Sequence, residues 1–367
     1  MSRVEVQTIK TDGHTILLGR HSLAHLAELL ATRDFAASKI FILVDENTLK
    51  HCLPLLLSKV AALREAEVLE IPAGEESKSL EIAQQLWAAL SDMAADRDSL
   101  LINLGGGVVS DLGGFLAGNF KRGLRFINCP TSLLAQVDAS VGGKVGINFN
   151  GIKNELGLFK NPELVFVDPE FLGTLPQREM RCGLAEMLKH GLVCDAAYWH
   201  ELQSLSFYEP DELDKAINRS VQIKAEIVSS DPFESGRRKV LNFGHTVGHA
   251  LEAYAMEGDM QELNHGEAVA VGMVCEAFIS HRAGFLNESE IQEISSTLFE
   301  NFPKIIIPDM AHHRILSLMR HDKKNAGGKL RFSLLEGIGD SCYDQEVPAE
   351  NVIDALNFYK RWVSPVS

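Results

Sequence analysis

The chain has few of the features that mark membrane proteins or nucleic-acid-binding proteins. None of its apolar runs reaches the ~18 residues that a membrane-spanning helix needs. Basic residues are scarce, since 35 Lys and Arg stand against 50 Asp and Glu, and no Lys/Arg-rich block offsets the net charge of -15 locally. Such a chain repels nucleic acid and anionic membrane surfaces. An anionic small-molecule ligand would therefore need a local basic pocket.

Closely spaced cysteine pairs are also absent. The six cysteines form no CxxC pair and lie mostly in apolar surroundings, at Cys52, Cys129, Cys182, Cys194, Cys275 and Cys342. This pattern predicts reduced thiols in a core. The opening MSRVEVQTIKTDG alternates and carries charge where a secretion signal would be apolar. We therefore expect a soluble, cytoplasmic protein.

The length and composition predict two globular domains. With 367 residues, 46% hydrophobic and 23% charged, the chain can bury a large core, and neither a disordered nor a collagen-like class fits. This length lies above the usual size of one domain.

Short runs rich in β-branched residues dominate the first half of the chain. They predict buried strands of a parallel sheet at residues 39–46, 66–72, 99–104, 125–129 and 163–168. Segments with helical periodicity, such as residues 79–95, lie between them. This alternation predicts right-handed βαβ units in a doubly wound, Rossmann-like sheet. The segments RVEVQTIK and HTILLG flank Asp12 and Gly13 and predict a hairpin at one edge of the sheet.

Helical patterns replace the strand patterns after about Pro176. Helices are predicted at residues 178–194, 198–207, 210–229, 240–256, 265–284, 288–300 and 348–363. The sequence thus predicts an α/β domain over residues 1–175 and a mostly α-helical domain over residues 176–367. Within the second domain, KLRFSLLEGIG predicts a local strand pair with Gly327 and Gly328 as its turn.

Glycine turns in the first half suit phosphate. Gly105, Gly106 and Gly107 follow a predicted strand and precede a helix, where backbone N–H groups can approach a pyrophosphate closely. The pattern GGGxxxD is not the dinucleotide fingerprint GxGxxG, so a tight strand-to-helix turn explains it equally well. Asp45 ends an earlier strand, where a carboxylate can bind ribose hydroxyls. The segment AGEESK, residues 73–78, is a further glycine turn ahead of a helix.

Histidine and glutamate in apolar helical sequence indicate a metal site. A catalytic zinc ion takes three ligands from His and Glu or Asp and keeps one position open. His245 and His249 are four residues apart and share a helix face, and Glu186 and His265 lie in similar apolar surroundings. The alternatives are hydrogen-bonded core histidines and a helical ion pair between Glu186 and Lys189. Spacing alone leaves the choice of ligands open.

An ordered series of sequence blocks resembles the motifs of the sugar phosphate cyclases. The blocks are GGGVVSDLGGFLAGNFKRG, PTSLLAQVDASVGGK, GIKNELGLF, GLAEMLKHG, LNFGHTVGHALE and NHGEAVAVGM. They are highly specific in this order, and the resemblance covers nearly the whole chain up to DKKN at Asp322. It implies an N-terminal NAD-binding α/β domain, a helical C-terminal domain that binds metal and substrate, one Zn²⁺ with Co²⁺ as an alternative, and a homodimer.

The resemblance also implies roles for individual residues. It assigns the metal to Glu186, His245 and His265 and turns His249 toward the substrate. The implied NAD-binding residues are Asp45, Gly74, Glu75, Lys78, Gly106, Gly107, Val108, Val109, Ser110, Asp111, Thr131, Ser132, Lys144, Lys153, Phe171, Leu172, Gly173 and Thr174. The implied substrate and catalytic residues are Asp138, Lys144, Asn154, Lys189, Lys224, Arg238, Asn242, His249 and Lys323 or Lys324, with Arg122 offered across the dimer interface.

The implied reaction belongs to the shikimate pathway of aromatic amino acid biosynthesis. It converts an anionic sugar-acid phosphate, 3-deoxy-D-arabino-heptulosonate 7-phosphate, into a carbocycle and free phosphate. Oxidation by NAD, phosphate elimination, reduction and intramolecular aldol closure follow one another, so the enzyme is a carbon–oxygen lyase without net redox change. Lys189 and Asp138 would face the substrate hydroxyls, Arg238 and Asn242 the carboxylate, and Lys144, Asn154, His249 and residues 322–324 the phosphate.

Three rival functions fit parts of this pattern. Other sugar phosphate cyclases act on substrates without a carboxylate, such as sedoheptulose 7-phosphate, but Arg238 and Asn242 favour a carboxylate. A metal-dependent polyol or glycerol-phosphate dehydrogenase would share the architecture, whereas the block from Lys144 to Asn154 favours a cyclase. A non-catalytic protein that had kept the fold would have lost expected ligands, and none is missing.

Overall fold

The computed structural model describes residues 6–11, 13–32, 35, 38–150, 152–321 and 330–362, and it divides the chain into two compact units. One consists of Met1–Met180 with Lys224–Ser229, and the other of Arg181–Ile223 with Ser230–Ser367. The sequence placed the boundary after residue 175. It did not predict that Lys224–Ser229, a part of the long helix Pro210–Ser230, belongs to the first unit.

A seven-stranded sheet forms the centre of the first unit. The strands of this unit are Gln7–Lys10 (β1), Thr15–Leu18 (β2), Ile40–Asp45 (β3), Glu67–Ile71 (β4), Leu100–Gly105 (β5), Arg125–Pro130 (β6), Lys144–Phe149 (β7), Ile152–Phe159 (β8) and Leu164–Val167 (β9). The order in the sheet is β1-β2-β9-β6-β5-β3-β4. All neighbours run parallel except the antiparallel pair β1 and β2. The predicted parallel sheet and edge hairpin are confirmed.

Helices cover both faces of this sheet. They are Leu23–Leu30 (α1), Glu46–His51 (α2), Leu53–Lys59 (α3), Leu80–Asp92 (α4) and Gly107–Asn119 (α5). Alternate residues of β3 face opposite sides, because successive side chains of a strand point to opposite faces. Phe41 and Leu43 pack in one core with α4 and α5, and Ile42 and Val44 pack in the other with α1 and α3. This is the doubly wound arrangement that the sequence predicts.

Strands β7 and β8 form a separate antiparallel hairpin that the sequence did not predict. Val145 and Ile147 are buried and alternate with Lys144, Gly146 and Asn148, as side chains of a strand do. Gly146 and Gly157 lie opposite each other, and a Cβ on Gly146 would come within 2.8 Å of the Leu156 carbonyl oxygen. The glycines therefore permit close approach of two strands.

The second unit is mainly helical, as predicted. Its helices are Gln177–Cys194 (α6), Ala196–Gln203 (α7), Pro210–Ser230 (α8), His245–Met256 (α9), His265–Arg282 (α10), Glu288–Asn301 (α11), Ala311–His321 (α12) and Ala349–Arg361 (α13), where α6 and α8 each have residues in both units. Strands Arg331–Gly337 (β10) and Asp340–Glu346 (β11) form an antiparallel pair. Among the described residues, no helix is both long and apolar enough to cross a membrane.

Three sequence-based expectations for this unit need correction. The helix expected from residue 240 begins only at His245, because a 3₁₀-helix, Arg237–Asn242, and the left-handed Gly244 (φ 80°) precede it. Helix α12 was not predicted. The strand pair exists, but it turns at residues 338–339, where Gly339 has a φ of 88°. The expected turn residues Gly327 and Gly328 lie outside the described residues.

Candidate active site

Three side chains of the second unit converge as metal ligands would. Glu186 comes from the middle of α6, and His245 and His265 are the first residues of α9 and α10. The Nε2 atoms of both histidines lie 3.4 Å from Glu186 Oε1. One potential ligand atom from each residue lies within 4.8 Å of the others.

The chemistry of these donors fits a divalent metal. Glu186 is fully buried, and its Oε1 has no hydrogen-bonding partner within the described part of the chain. A buried carboxylate oxygen costs several kcal/mol unless a cation or a donor compensates it. Two imidazole nitrogens beside that oxygen make a His₂Glu set, which zinc binds with one position left open.

Lys189 occupies the other oxygen of Glu186. Its ammonium group forms a buried ion pair with Glu186 Oε2, one turn along α6. The sequence left a choice between a metal ligand and a helical ion pair, and the structure shows a geometry that allows both, one at each oxygen. Burial opposes ionisation of Glu186, but Lys189 and His265 outweigh it and hold its pKa well below the usual range.

Each histidine of the set has a partner at its second ring nitrogen. His245 Nδ1 lies 3.1 Å from the carbonyl oxygen of Phe243, and His265 Nδ1 lies 3.4 Å from Glu252 Oε2. Burial lowers the pKa of His265, yet Glu252 and Glu186 raise it to about 10. A positive charge between the two carboxylates is therefore strongly favoured.

His249 stands beside this set, as its spacing predicts. Its ring centroid lies 5.1 Å from that of His245 and 6.1 Å from that of His265. His249, Glu252 and His265 also form a group of donors within 4.8 Å. The structure thus offers a second donor set that shares His265. Sequence reasoning missed Glu252, although its position seven residues after His245 puts it on the same face of α9.

Arg238 and Asn242 lie on the 3₁₀-helix Arg237–Asn242. Arg238 is buried, and its Nη1 donates to the carbonyl oxygen of Pro232 at 2.7 Å. The Asp231 carboxylate accepts the backbone N–H of Arg238 at 3.1 Å. Asn242 donates to Glu234 at 2.6 Å. Sequence reasoning missed Asp231 and Glu234, whose contacts depend on the turn of the chain between them.

The glycine turn of the first unit has the predicted position. Gly105 ends β5, and Gly106 precedes the first residue of α5. A Cβ on Gly106 would approach Ser132 Oγ to 3.3 Å, so a larger residue would crowd this turn. The Thr131 N–H donates to the Gly105 carbonyl oxygen at 3.0 Å. Two strand ends thereby meet where backbone N–H groups of α5 point outward.

Lys78 joins three of the predicted cofactor and substrate residues. Its buried ammonium group donates to Asp111 Oδ2 at 2.7 Å and Asn154 Oδ1 at 2.6 Å, and lies 3.7 Å from Glu75 Oε1. Burial alone would lower the pKa of Lys78, but Asp111 and Glu75 outweigh it and raise the pKa. Asn154 has a left-handed backbone, with a φ of 52°, and donates its N–H to Asn148. Lys78 is therefore a charged link between α5 and the β7–β8 hairpin.

Comparisons with known proteins identify the family. The models named 3-dehydroquinate synthase N-terminal and 3-dehydroquinate synthase C-terminal match residues 68–182 and 183–325. A 3-dehydroquinate synthase of Parabacteroides distasonis is 42% identical over 337 residues, which cover 89% of this chain and 94% of that protein. The chain belongs to the 3-dehydroquinate synthase family.

Further relatives agree with membership of the 3-dehydroquinate synthase family. The 3-dehydroquinate synthase of Acidithiobacillus ferrooxidans is 41% identical over 325 residues, covering 87% of this chain and 88% of that protein. The solved structure of ValA, a 2-epi-5-epi-valiolone synthase from Streptomyces hygroscopicus with NAD⁺ and Zn²⁺ bound, has a TM-score of 0.83 and 26% identity. It covers 97% of this chain and 99% of its own. The chain is thus an enzyme of the sugar phosphate cyclase type.

Further residues implied by the resemblance to the sugar phosphate cyclases lie in different surroundings. Lys224 is buried and contacts both the carbonyl oxygen, at 2.5 Å, and the carboxylate of Asp138. Arg122 is exposed and has a left-handed backbone, with a φ of 70°. Lys323 and Lys324 lie outside the described residues. Asp45 caps α2, accepting the Thr48 N–H at 2.8 Å.

Some implied cofactor residues have side chains that belong to a core. Val109 and Phe171 are buried among apolar residues, so only their backbones are available to a ligand. The exposed Gly173 and Thr174 lie in the 3₁₀-helix Pro169–Thr174. Lys144 pairs with Phe159 at one end of the hairpin. Asn154 lies about four residues further along the hairpin, which corresponds to roughly 13 Å of strand. The two residues expected at the phosphate therefore attach to different ends of the hairpin.

Proposed function

We propose that the chain converts 3-deoxy-D-arabino-heptulosonate 7-phosphate into 3-dehydroquinate and phosphate, with NAD and one divalent metal ion. The observation that carries the proposal is the convergence of Glu186, His245 and His265 in a chain that two 3-dehydroquinate synthase models match in succession. The net reaction eliminates phosphate and closes a carbocycle. It makes the enzyme a carbon–oxygen lyase of the shikimate pathway.

The metal would be held by Glu186, His245 and His265. A bound Zn²⁺ or Co²⁺ would lower the pKa of a substrate hydroxyl and polarise a developing carbonyl group. Lys189 keeps Glu186 Oε2 occupied, which leaves Oε1 for the ion. The buried ammonium group of Lys189 also places a positive charge where alkoxide character would develop. His249, beside the set, is available to the substrate.

The first unit would bind NAD. The turn at Gly106, the N-terminus of α5 and the charged group around Lys78 provide N–H donors and a fixed cation for the pyrophosphate and ribose. NAD supplies hydride acceptance and return, so no net oxidation occurs. The resemblance to ValA, whose structure contains NAD⁺ and Zn²⁺, supports the same pair of cofactors here.

Arg238 would select a substrate with a carboxylate. A planar guanidinium binds a carboxylate through two parallel hydrogen bonds, and a buried one binds strongly. Arg238 is 3% exposed, and Asp231 fixes its backbone. Asn242 lies on the same short helix. This arrangement favours a sugar-acid phosphate over sedoheptulose 7-phosphate, which has no carboxylate.

The other implied residues would bind the phosphate and hydroxyl groups of the substrate. Asp138, held by Lys224, would bind a hydroxyl. Asn154 is oriented by Lys78 for the phosphate, together with Lys144, His249 and Lys323 or Lys324. Arg122 would complete the phosphate site of the second subunit in a homodimer. The protein would act in the cytoplasm.

A comparison of two substrates tests the specificity. In Arg238→Ala, kcat/KM for the carboxylate substrate should fall by about 30- to 1000-fold, since truncating a buried charge pair costs ~2–4 kcal/mol. The exposed neighbour Arg237 gives a matched control, and Arg237→Ala should stay within about twofold. Equal losses on sedoheptulose 7-phosphate would contradict the assignment of Arg238. Steady NADH accumulation on polyols would instead favour a dehydrogenase.

A further inference from the structure

His265 lies between two buried carboxylates, one at each ring nitrogen. Its Nε2 is 3.4 Å from Glu186 Oε1, and its Nδ1 is 3.4 Å from Glu252 Oε2. A neutral imidazole binds a metal through one nitrogen and carries its proton on the other. The group that accepts that proton decides which nitrogen faces the metal.

We propose that Glu252 is a positioning residue for the metal site. It accepts the Nδ1–H of His265, so that the Nε2 lone pair of His265 points to Glu186 Oε1 and His245 Nε2. The proposal rests on the metal site of the proposed function and adds a residue that the sequence blocks did not single out. Glu252 acts through His265 and does not bind the ion.

The position of Glu252 supports this role over a role as a ligand. Glu186 and Glu252 approach opposite nitrogens of the same ring, and one ion cannot be bound by both nitrogens of one imidazole. Nε2 of His265 faces Glu186 Oε1 and Nδ1 faces Glu252 Oε2, so Glu252 lies on the side of the ring away from Glu186. In the alternative set of Glu252, His249 and His265, the ion would not contact the buried Glu186 Oε1, which has no hydrogen bond within the described residues.

The two histidines of the set are held by different kinds of acceptor. Nδ1 of His245 contacts the neutral carbonyl oxygen of Phe243. Nδ1 of His265 contacts the carboxylate of Glu252, a residue that is 5% exposed. An imidazole whose N–H is bound by a carboxylate is more basic than one whose N–H is bound by a carbonyl oxygen, and it therefore binds a metal more strongly. Helix α9 provides both His245 and Glu252 from one face, seven residues apart, so a single rigid element fixes a ligand and the support of another.

Metal titration of three variants tests the role. Glu252→Gln keeps the shape and removes the charge, and Glu252→Asp keeps the charge on a shorter side chain. Glu257→Gln is the matched control, because Glu257 ends the same helix and pairs with Arg314 on the surface. Zinc affinity is measured on the full chain by competition with a chromophoric chelator, without substrate or NAD. The visible spectrum of bound Co²⁺ reports the ligand geometry.

We expect Glu252→Gln to bind one equivalent of zinc about 10- to 100-fold more weakly, with an altered Co²⁺ spectrum. Glu257→Gln should match the unsubstituted protein within about twofold. Unchanged affinity in Glu252→Gln would overturn the proposal. Complete loss of the zinc equivalent, as in His265→Ala, would overturn it too, because Glu252 would then be a ligand. If Glu252→Gln fails to fold, Glu252→Asp takes its place. Its shorter side chain draws the carboxylate away from His265 Nδ1, so zinc should bind more weakly, and unchanged zinc affinity would overturn the proposal.

The same titration separates this proposal from the proposed function. A chain that binds one zinc through Glu252-supported His265 but releases no phosphate from the sugar-acid phosphate would refute the reaction and leave the role of Glu252 intact. A chain that releases phosphate, with zinc affinity indifferent to Glu252, would refute only the positioning role.

Discussion

Asp231 holds the segment that presents Arg238, and replacing it should have a measurable cost. Its carboxylate accepts the N–H groups of Ser235 at 2.9 Å, Gly236 at 2.7 Å and Arg238 at 3.1 Å, and the Ser235 hydroxyl at 3.1 Å. Two donors approach each oxygen. In Asp231→Asn one oxygen becomes an NH₂ group, so two of these hydrogen bonds are lost whichever oxygen remains. At ~1–1.5 kcal/mol for each hydrogen bond, the free energy of unfolding should fall by about 2–3 kcal/mol.

The pH dependence of that loss has a defined sign. Burial raises the pKa of Asp231, but the hydrogen bonds from Gly236, Ser235 and Arg238 outweigh it and lower the pKa to about 2. The unfolded-state pKa is ~3.9, so the contribution is complete above about pH 4 and is lost as the pH falls toward 2. The difference in free energy of unfolding between the unsubstituted protein and Asp231→Asn should therefore become smaller as the pH falls below about 4.

Urea unfolding at several pH values measures both effects. Asp354 on α13 is exposed, so Asp354→Asn makes the same change of charge without these hydrogen bonds and should shift stability by less than about 0.5 kcal/mol. The role of Asp231 would be refuted if Asp231→Asn changed the free energy of unfolding as little as the control does. It would also be refuted if the change were constant down to about pH 3.

Three further substitutions test other parts of the structure. His265→Ala should remove bound zinc and activity while the second unit stays folded, as measured by metal analysis and circular dichroism; full zinc occupancy would contradict the ligand assignment. Lys224→Met should lower kcat at least ~100-fold, because Lys224 holds the Asp138 carboxylate that would bind a substrate hydroxyl, yet keep zinc affinity, because Lys224 is not one of the three proposed ligands; weaker zinc binding would contradict this. Gly272→Ala places a Cβ against the Gly244 carbonyl oxygen and should cost ~1–3 kcal/mol in thermal unfolding, whereas Gly173→Ala, which has open space, should cost little.

The sequence predicted most of the sheet and the helices because their apolar residues repeat with a regular period. Strands β3 and β5 are buried on both faces and appear as continuous apolar runs. The period of α12 was also readable, since Ala311, Ile315 and Met319 are spaced by four and are buried, but polar residues between them obscured it. The β7–β8 hairpin was missed because glycine and polar residues interrupt its apolar residues.

The site was predictable as far as residue chemistry alone can indicate it. Glu186 and the histidines stood out because charged or polar groups in apolar helices require partners. Their mutual distances depend on how α6, α9 and α10 pack, which no local pattern specifies. Asp231 was not predictable, because its partners are backbone N–H groups that only the folded turn brings together.

Phosphate release from 3-deoxy-D-arabino-heptulosonate 7-phosphate tests the central claim most directly. The purified chain is supplied with zinc and a trace of NAD, and inorganic phosphate and NADH absorbance are followed together. The proposed function predicts phosphate far in excess of the NAD supplied, with no accumulation of NADH. No phosphate release, or NADH formed in step with substrate loss, would contradict it.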